Sequence, residues 1–140
     1  MSRRHAVFDT NVLVAGLRSS RGASHRLLRL LGTDTFRISI SVPLVLEYES
    51  VLLRHAPDLL LSAEDIRDFL DYACAVANRQ SIFFLWRPRL PDPKDDMVLE
   101  VAVAGACDTI VTFNLRDFPG VEDLGLRVLT PREFLKEIKV

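Results

Sequence analysis

An apolar run that halts at one carboxylate and then resumes sets the frame for this chain. Ala6-Val7-Phe8 leads into Asp9, Thr10 and Asn11 follow, and Val12-Leu13-Val14-Ala15 takes the run up again. Apolar residues before an acid suit a buried strand, and the resumed run behind two small polar residues suits a helix. A strand turning directly into a helix is half of a βαβ unit, and such units assemble into parallel sheets covered on both faces. In open sheets of this kind, ligands bind beyond the carboxyl ends of the strands. Asp9 stands at such an end, either as a helix cap or as a site residue, and the rest of the chain must decide.

The remaining sequence repeats the alternation. A helix over Thr10–Leu17 stops at Arg18-Ser19-Ser20-Arg21-Gly22, and Ala23–Leu31 forms the next, ended by Gly32. Phe36–Ser41 alternates as a second strand, and Ser41-Val42-Pro43 opens a helix running to about His55. Ser62 caps a helix whose Ile66, Phe69, Leu70, Ala73, Cys74 and Ala77 form an amphipathic stripe. Ser81–Trp86 reads as a third strand, and Asp95 or Asp96 as the start of a helix ending near Gly105-Ala106. Thr109–Thr112 and Arg127–Leu129 are the fourth and fifth strands, before a last helix capped by Thr130-Pro131-Arg132-Glu133. The expectation is a single domain over residues 1–140, α/β in class, with about five mostly parallel strands and helices on both faces.

Composition narrows the functional classes. With 49% hydrophobic and 26% charged residues, the chain matches ordinary globular proteins, and no apolar run approaches the length of a membrane span. The basic start Met1-Ser2-Arg3-Arg4-His5 precedes an apolar run that Asp9 interrupts, which argues against a secretory signal. Cys74 and Cys107 lack paired spacing and read as buried reduced thiols, which fits a cytoplasmic protein; three scattered histidines argue against zinc. The net charge of −1 conceals an asymmetry: residues 1–29 carry six arginines against Asp9 alone, while Asp58, Glu64, Asp65, Asp68 and Asp71 face only Arg67. A basic end beside acids is compatible with binding a phosphate backbone.

The acids and amides fall at strand ends. Asp9 follows the first strand, Glu47 lies in the helix after the second, Asp96 opens the helix before the fourth, and Asn114 and Asp117 follow the fourth. Glu47 has Pro43, Leu44, Ser50 and Val51 three and four residues away, which sets it close to an apolar face, where a carboxylate is costly unless paired or coordinated. Singly, each acid has an ordinary role as a cap, a turn former or a surface charge, and Asp92 and Asp95 compete with Asp96. Jointly, they crowd negative charge at one sheet edge, a conflict that a divalent cation removes. Hard oxygen ligands select Mg²⁺ or Mn²⁺, and such a site suits phosphodiester hydrolysis by metal-activated water. A phosphohydrolase acting on small esters is the weaker reading, because Asn11 stands where a second aspartate is needed and no glycine-rich phosphate loop is present.

Phe8-Asp9-Thr10-Asn11-Val12-Leu13, Leu46-Glu47, Asp96-Met97-Val98-Leu99-Glu100-Val101-Ala102 and Val111-Thr112-Phe113-Asn114-Leu115-Arg116-Asp117-Phe118 resemble, in order, the motifs of PIN-domain ribonucleases. Within these the chain is most similar to compact bacterial toxins of VapC type and related toxin–antitoxin PIN proteins. The resemblance implies a Rossmann-like PIN fold and an acidic pocket for Mg²⁺ or Mn²⁺, formed by Asp9, Glu47, Asp96 and Asp117. Asp96 is preferred over Asp95 because it stands sixteen residues before Thr112, the spacing the motif calls for. Thr10, Asn11, Thr112 and Asn114 would order the pocket, and Arg18, Arg21 and Arg116 would meet RNA phosphates. Many relatives carry an acid at the position of Asn114; here the acid comes at Asp117, as in some VapC-type members. The expected function is a Mg²⁺/Mn²⁺-dependent endoribonuclease, the toxin of a type II pair, with an antitoxin partner, a homodimeric state and no membrane association. The alternative is a catalytically silent PIN module that binds RNA or a protein.

Overall fold

A computed structural model describes residues 4–82 and 90–138. Five strands are all parallel and lie in the order β3-β2-β1-β4-β5. They are β1 (Arg4–Phe8), β2 (Phe36–Ile40), β3 (Asn78–Arg79), β4 (Thr109–Val111) and β5 (Arg127–Leu129). Among the described residues seven α-helices connect and cover them: α1 (Thr10–Arg18), α2 (Ala23–Arg29), α3 (Val42–Arg54), α4 (Ala56–Leu59), α5 (Ala63–Val76), α6 (Pro93–Ala104) and α7 (Pro131–Glu137). None of the described helices is long and apolar enough to cross a membrane.

Side-chain alternation along β1 and β2 explains why the sheet needs cover on both faces. Phe8 and Phe36 share one face and meet Phe134 of α7, with ring centroids 5.4–6.4 Å apart in tilted and edge-on contacts. Ser39 points the other way, beneath the end of α6, where a Cβ on Gly105 would come within 2.7 Å of its hydroxyl. Gly16 has a similar packing role: a Cβ there would meet Leu28 at 2.5 Å, so α1 and α2 pack closely only because that side chain is absent.

Helix starts follow the polar punctuation. The hydroxyls of Ser41, Ser62 and Thr130 accept from the amides of Leu44, Asp65 and Glu133, and the last two starts are reciprocal capping boxes. Two boundaries depart from the sequence expectation. The third strand pairs with β2 at Asn78–Arg79; Ser81 and Ile82 are not in a strand, and the rest of the expected Ser81–Trp86 segment lies outside the described residues. Helix α6 starts earlier than expected, because Asp92, not Asp95 or Asp96, is its cap, accepting from the amide of Lys94, and Pro93 takes the first turn.

The strand order places a switch point between β1 and β4. The chain winds outward from β1 through β2 to β3, then crosses back to β4 and continues to β5. The loops leaving β1 and β4 therefore diverge and open a crevice at their carboxyl ends, where α/β sheets bind ligands.

Candidate active site

Asp9 sits in that crevice. Its amide donates to the Val111 carbonyl at 2.9 Å, extending the β1–β4 ladder by one bond before the chain turns into α1. Its side chain is a helix cap and also more than one: Oδ1 accepts from the Thr10 amide at 2.8 Å, while Oδ2 accepts from the Thr112 hydroxyl at 2.8 Å and from the Asn11 amide group at 3.3 Å. Only 8% of the residue is exposed. Burial raises its pKa and the charges of Asp117 and Asp92 add to the rise, against the hydrogen bonds from Thr112 and Thr10, which lower it.

Thr112 is the hub of the crevice. Fully buried, it donates to Asp9 and accepts from the Asn114 backbone amide at 3.0 Å, while Asn11 Oδ1 accepts from the Phe113 amide at 3.3 Å. Asn114 thus contributes through its backbone, its residue being otherwise exposed. These bonds tie the loop after β4 to the start of α1.

Asp95 is acted on by the charge of Asp9. It is buried, its Oδ2 has no donor, and its pKa is pushed up to about 7 by burial first and then by the charges of Asp9, Asp117, Asp92 and Asp96. Asp117, half-buried in a 3₁₀ turn (Leu115–Asp117), acts on both Asp9 and Asp95. Asp96 is fully buried beside them; its Oδ1 accepts from the Leu90 amide at 3.0 Å and its Oδ2 has no donor. Glu47 is half-buried on α3, forms no hydrogen bond or ion pair with another described residue, and is not among the charges that perturb Asp9 or Asp95. Arg18, Arg21 and Arg116 are exposed, their side chains free of ion pairs with described residues; Arg18 ends α1, Arg21 lies in the loop after it, and Arg116 stands in the turn after β4.

One structural residue carries no sequence signal. Tyr48, the neighbour of Glu47, is buried and donates its hydroxyl to the Phe8 carbonyl, the last of β1 before Asp9. Burial and the nearby charge of Asp9 keep its pKa well above the usual tyrosine value, so it stays a donor. Tyr48→Phe leaves that carbonyl buried without a partner. It should lower stability by about 1–3 kcal/mol in denaturant titrations.

The donor set is chemically that of a hard cation. Asp95 and Asp96 each leave one carboxylate oxygen hidden from solvent and without a donor, which is costly unless something positive fills the gap. No three His, Cys, Asp or Glu side chains among the described residues form a ready-made metal cage. Mg²⁺ does not require one, since it is held by one or two carboxylates, waters and substrate phosphates.

A PIN domain family model matches residues 5–116. The chain belongs to the PIN domain family. PIN domains are generally nucleases that use divalent metals, and the match spans every acid discussed above except Asp117. No curated protein matches this PIN domain. Among solved structures it is similar to a chain of the VapBC2 complex from Rickettsia felis bound to a DNA fragment from their promoter. The TM-score is 0.57 at 17% identity, covering 89% of this chain and 96% of that one, a likeness of fold.

Proposed function

We propose that this PIN domain is a Mg²⁺- or Mn²⁺-dependent endoribonuclease and the toxin of a toxin–antitoxin pair. The observation that carries the reading is the burial of Asp9 and Asp95 beside the β1–β4 switch point, with Asp95 Oδ2 hidden from solvent and without a donor among the described residues. Asp9 and Asp95 would hold the cation, with Asp117 beside them and Glu47 and Asp96 completing the acidic set. When bound, the cation supplies positive charge for the phosphoryl oxygens and makes water a usable nucleophile near neutral pH.

The chain's own groups do the positioning. Thr112 and Asn11 fix the Asp9 carboxylate in one rotamer, so one oxygen is oriented by the cap and the other by the hub. Asp95 gives up its proton as positive charge arrives. Arg18, Arg21 and Arg116 offset the repulsion between the acids and an incoming phosphate backbone.

An antitoxin partner accords with the VapBC2 likeness, and a homodimer with the resemblance to VapC-type toxins. The test is cleavage of a labelled single-stranded RNA by purified protein. Mg²⁺ or Mn²⁺ should support internal cleavage, EDTA should stop it, and added cation should restore it. Persistence of cleavage in EDTA, or its absence in both cations, would overturn the reading in favour of a silent binding module.

A further inference from the structure

Beside Asp9, α1 and the C-terminal half of α3 enclose a groove of about 480 Å³. Its floor begins at Thr10 and Asn11, Val51 forms part of an apolar wall, Arg18 and His55 supply cationic or hydrogen-bonding tips, and Phe113 closes one side. Phe113 is 48% exposed, whereas every other phenylalanine among the described residues is at least half-buried. The exposed ring adds a π-face to the lining of the groove, a surface on which an unpaired base can stack.

The backbone under this ring is tied to the chemistry. The Phe113 amide is held by Asn11 Oδ1, and the residue before it, Thr112, holds Asp9 Oδ2. The backbone that carries the ring is therefore held by the same bonds that orient the acid, which keeps a base stacked on it close to Asp9. Arg18, unpaired among the described residues, brings the positive charge that a nucleotide's own phosphate requires.

Resting on the ribonuclease reading above, we infer that this groove seats the base of one nucleotide adjoining the cleaved phosphate of single-stranded RNA, stacked on Phe113. Paired bases are stacked within a duplex and cannot enter, whereas unpaired bases stack readily on aromatic side chains. Because every base has a π-face, the seat favours unpaired RNA without demanding one base.

The test separates binding from cleavage. A short single-stranded oligoribonucleotide carrying 2-aminopurine is titrated with protein in EDTA, and KM and kcat for RNA cleavage are measured in Mn²⁺. Phe113→Ala should raise both Kd and KM about tenfold, remove the fluorescence change caused by stacking, and leave kcat within about twofold. Phe113→Tyr should restore all three, which mere loss of packing would not explain. Unchanged Kd, fluorescence and KM in Phe113→Ala would overturn the base seat while leaving the ribonuclease intact. Stacking without any cleavage would support the seat and overturn the ribonuclease, and a wild-type chain that neither binds nor cuts RNA would overturn both.

Discussion

Asp9→Asn is expected to reduce cation-dependent RNA cleavage by about 10²–10³-fold while leaving the melting temperature close to that of the wild type. The loss follows from removing a charge that would hold the cation, whose stabilisation of transition-state charge is worth several kcal/mol. The small net change in stability follows from the local geometry. An amide oxygen can still accept from the Thr10 amide, so the α1 cap survives; the two hydrogen bonds that Oδ2 accepts from Thr112 and Asn11 are lost, and removal of a buried charge disfavoured by desolvation and by Asp117 offsets that loss. A residue retained for structure would show the opposite pair of results, full activity with lower stability. That pairing makes the experiment decisive: a stable Asp9→Asn protein that cleaves RNA at the wild-type rate removes Asp9 from the chemistry. Melting curves and initial rates, measured on the same preparation, suffice.

The parts of this site that the sequence made legible are those that local physical rules dictate. The change from a strand pattern to a helix pattern within residues 6–15 placed Asp9 at a strand end, and β1 and α1 meet there. Ser41, Ser62 and Thr130 cap helices because their hydroxyls reach an amide three residues on, a relation visible in one dimension. What stayed hidden depends on tertiary contact. The two-residue strand at Asn78–Arg79 exists only because β2 offers partners, so no local pattern announces it. Placing the cap of α6 at Asp92 puts Asp95 in the third helical position and Asp96 in the fourth, and those two directions differ by about a quarter of a turn. The motif spacing to Thr112 favours Asp96, the charge of Asp9 acts on Asp95, and each of the two keeps one buried oxygen without a donor among the described residues. Tyr48 gave no signal at all, since a tyrosine on an apolar helix face does not announce where its hydroxyl will end.

Asp95 yields the second large effect, a stability that falls as pH rises and is restored by Mg²⁺. In the folded protein its carboxyl titrates at about 7, against 3.8 for an ordinary aspartate. Below pH 4 both states hold the proton and the group costs nothing. Between pH 4 and 7 the unfolded chain releases its proton while the folded chain keeps it, so the unfolded state gains ground steadily. Above pH 7 both are ionised and the penalty is constant. In EDTA, the melting temperature should therefore decline by several degrees from pH 4.5 to pH 7.5 through this group. A bound cation reverses the balance, because it favours the ionised folded form and must displace the proton. Millimolar Mg²⁺ should then raise the melting temperature strongly at pH 7.5 and little at pH 5, with proton release detectable by calorimetry at pH 6.5 in buffers of different ionisation enthalpy. Asp95→Asn should flatten both dependences. Should Asp95→Asn retain the wild-type slope and the wild-type response to Mg²⁺, the crevice acid that exchanges its proton for a cation is a different one.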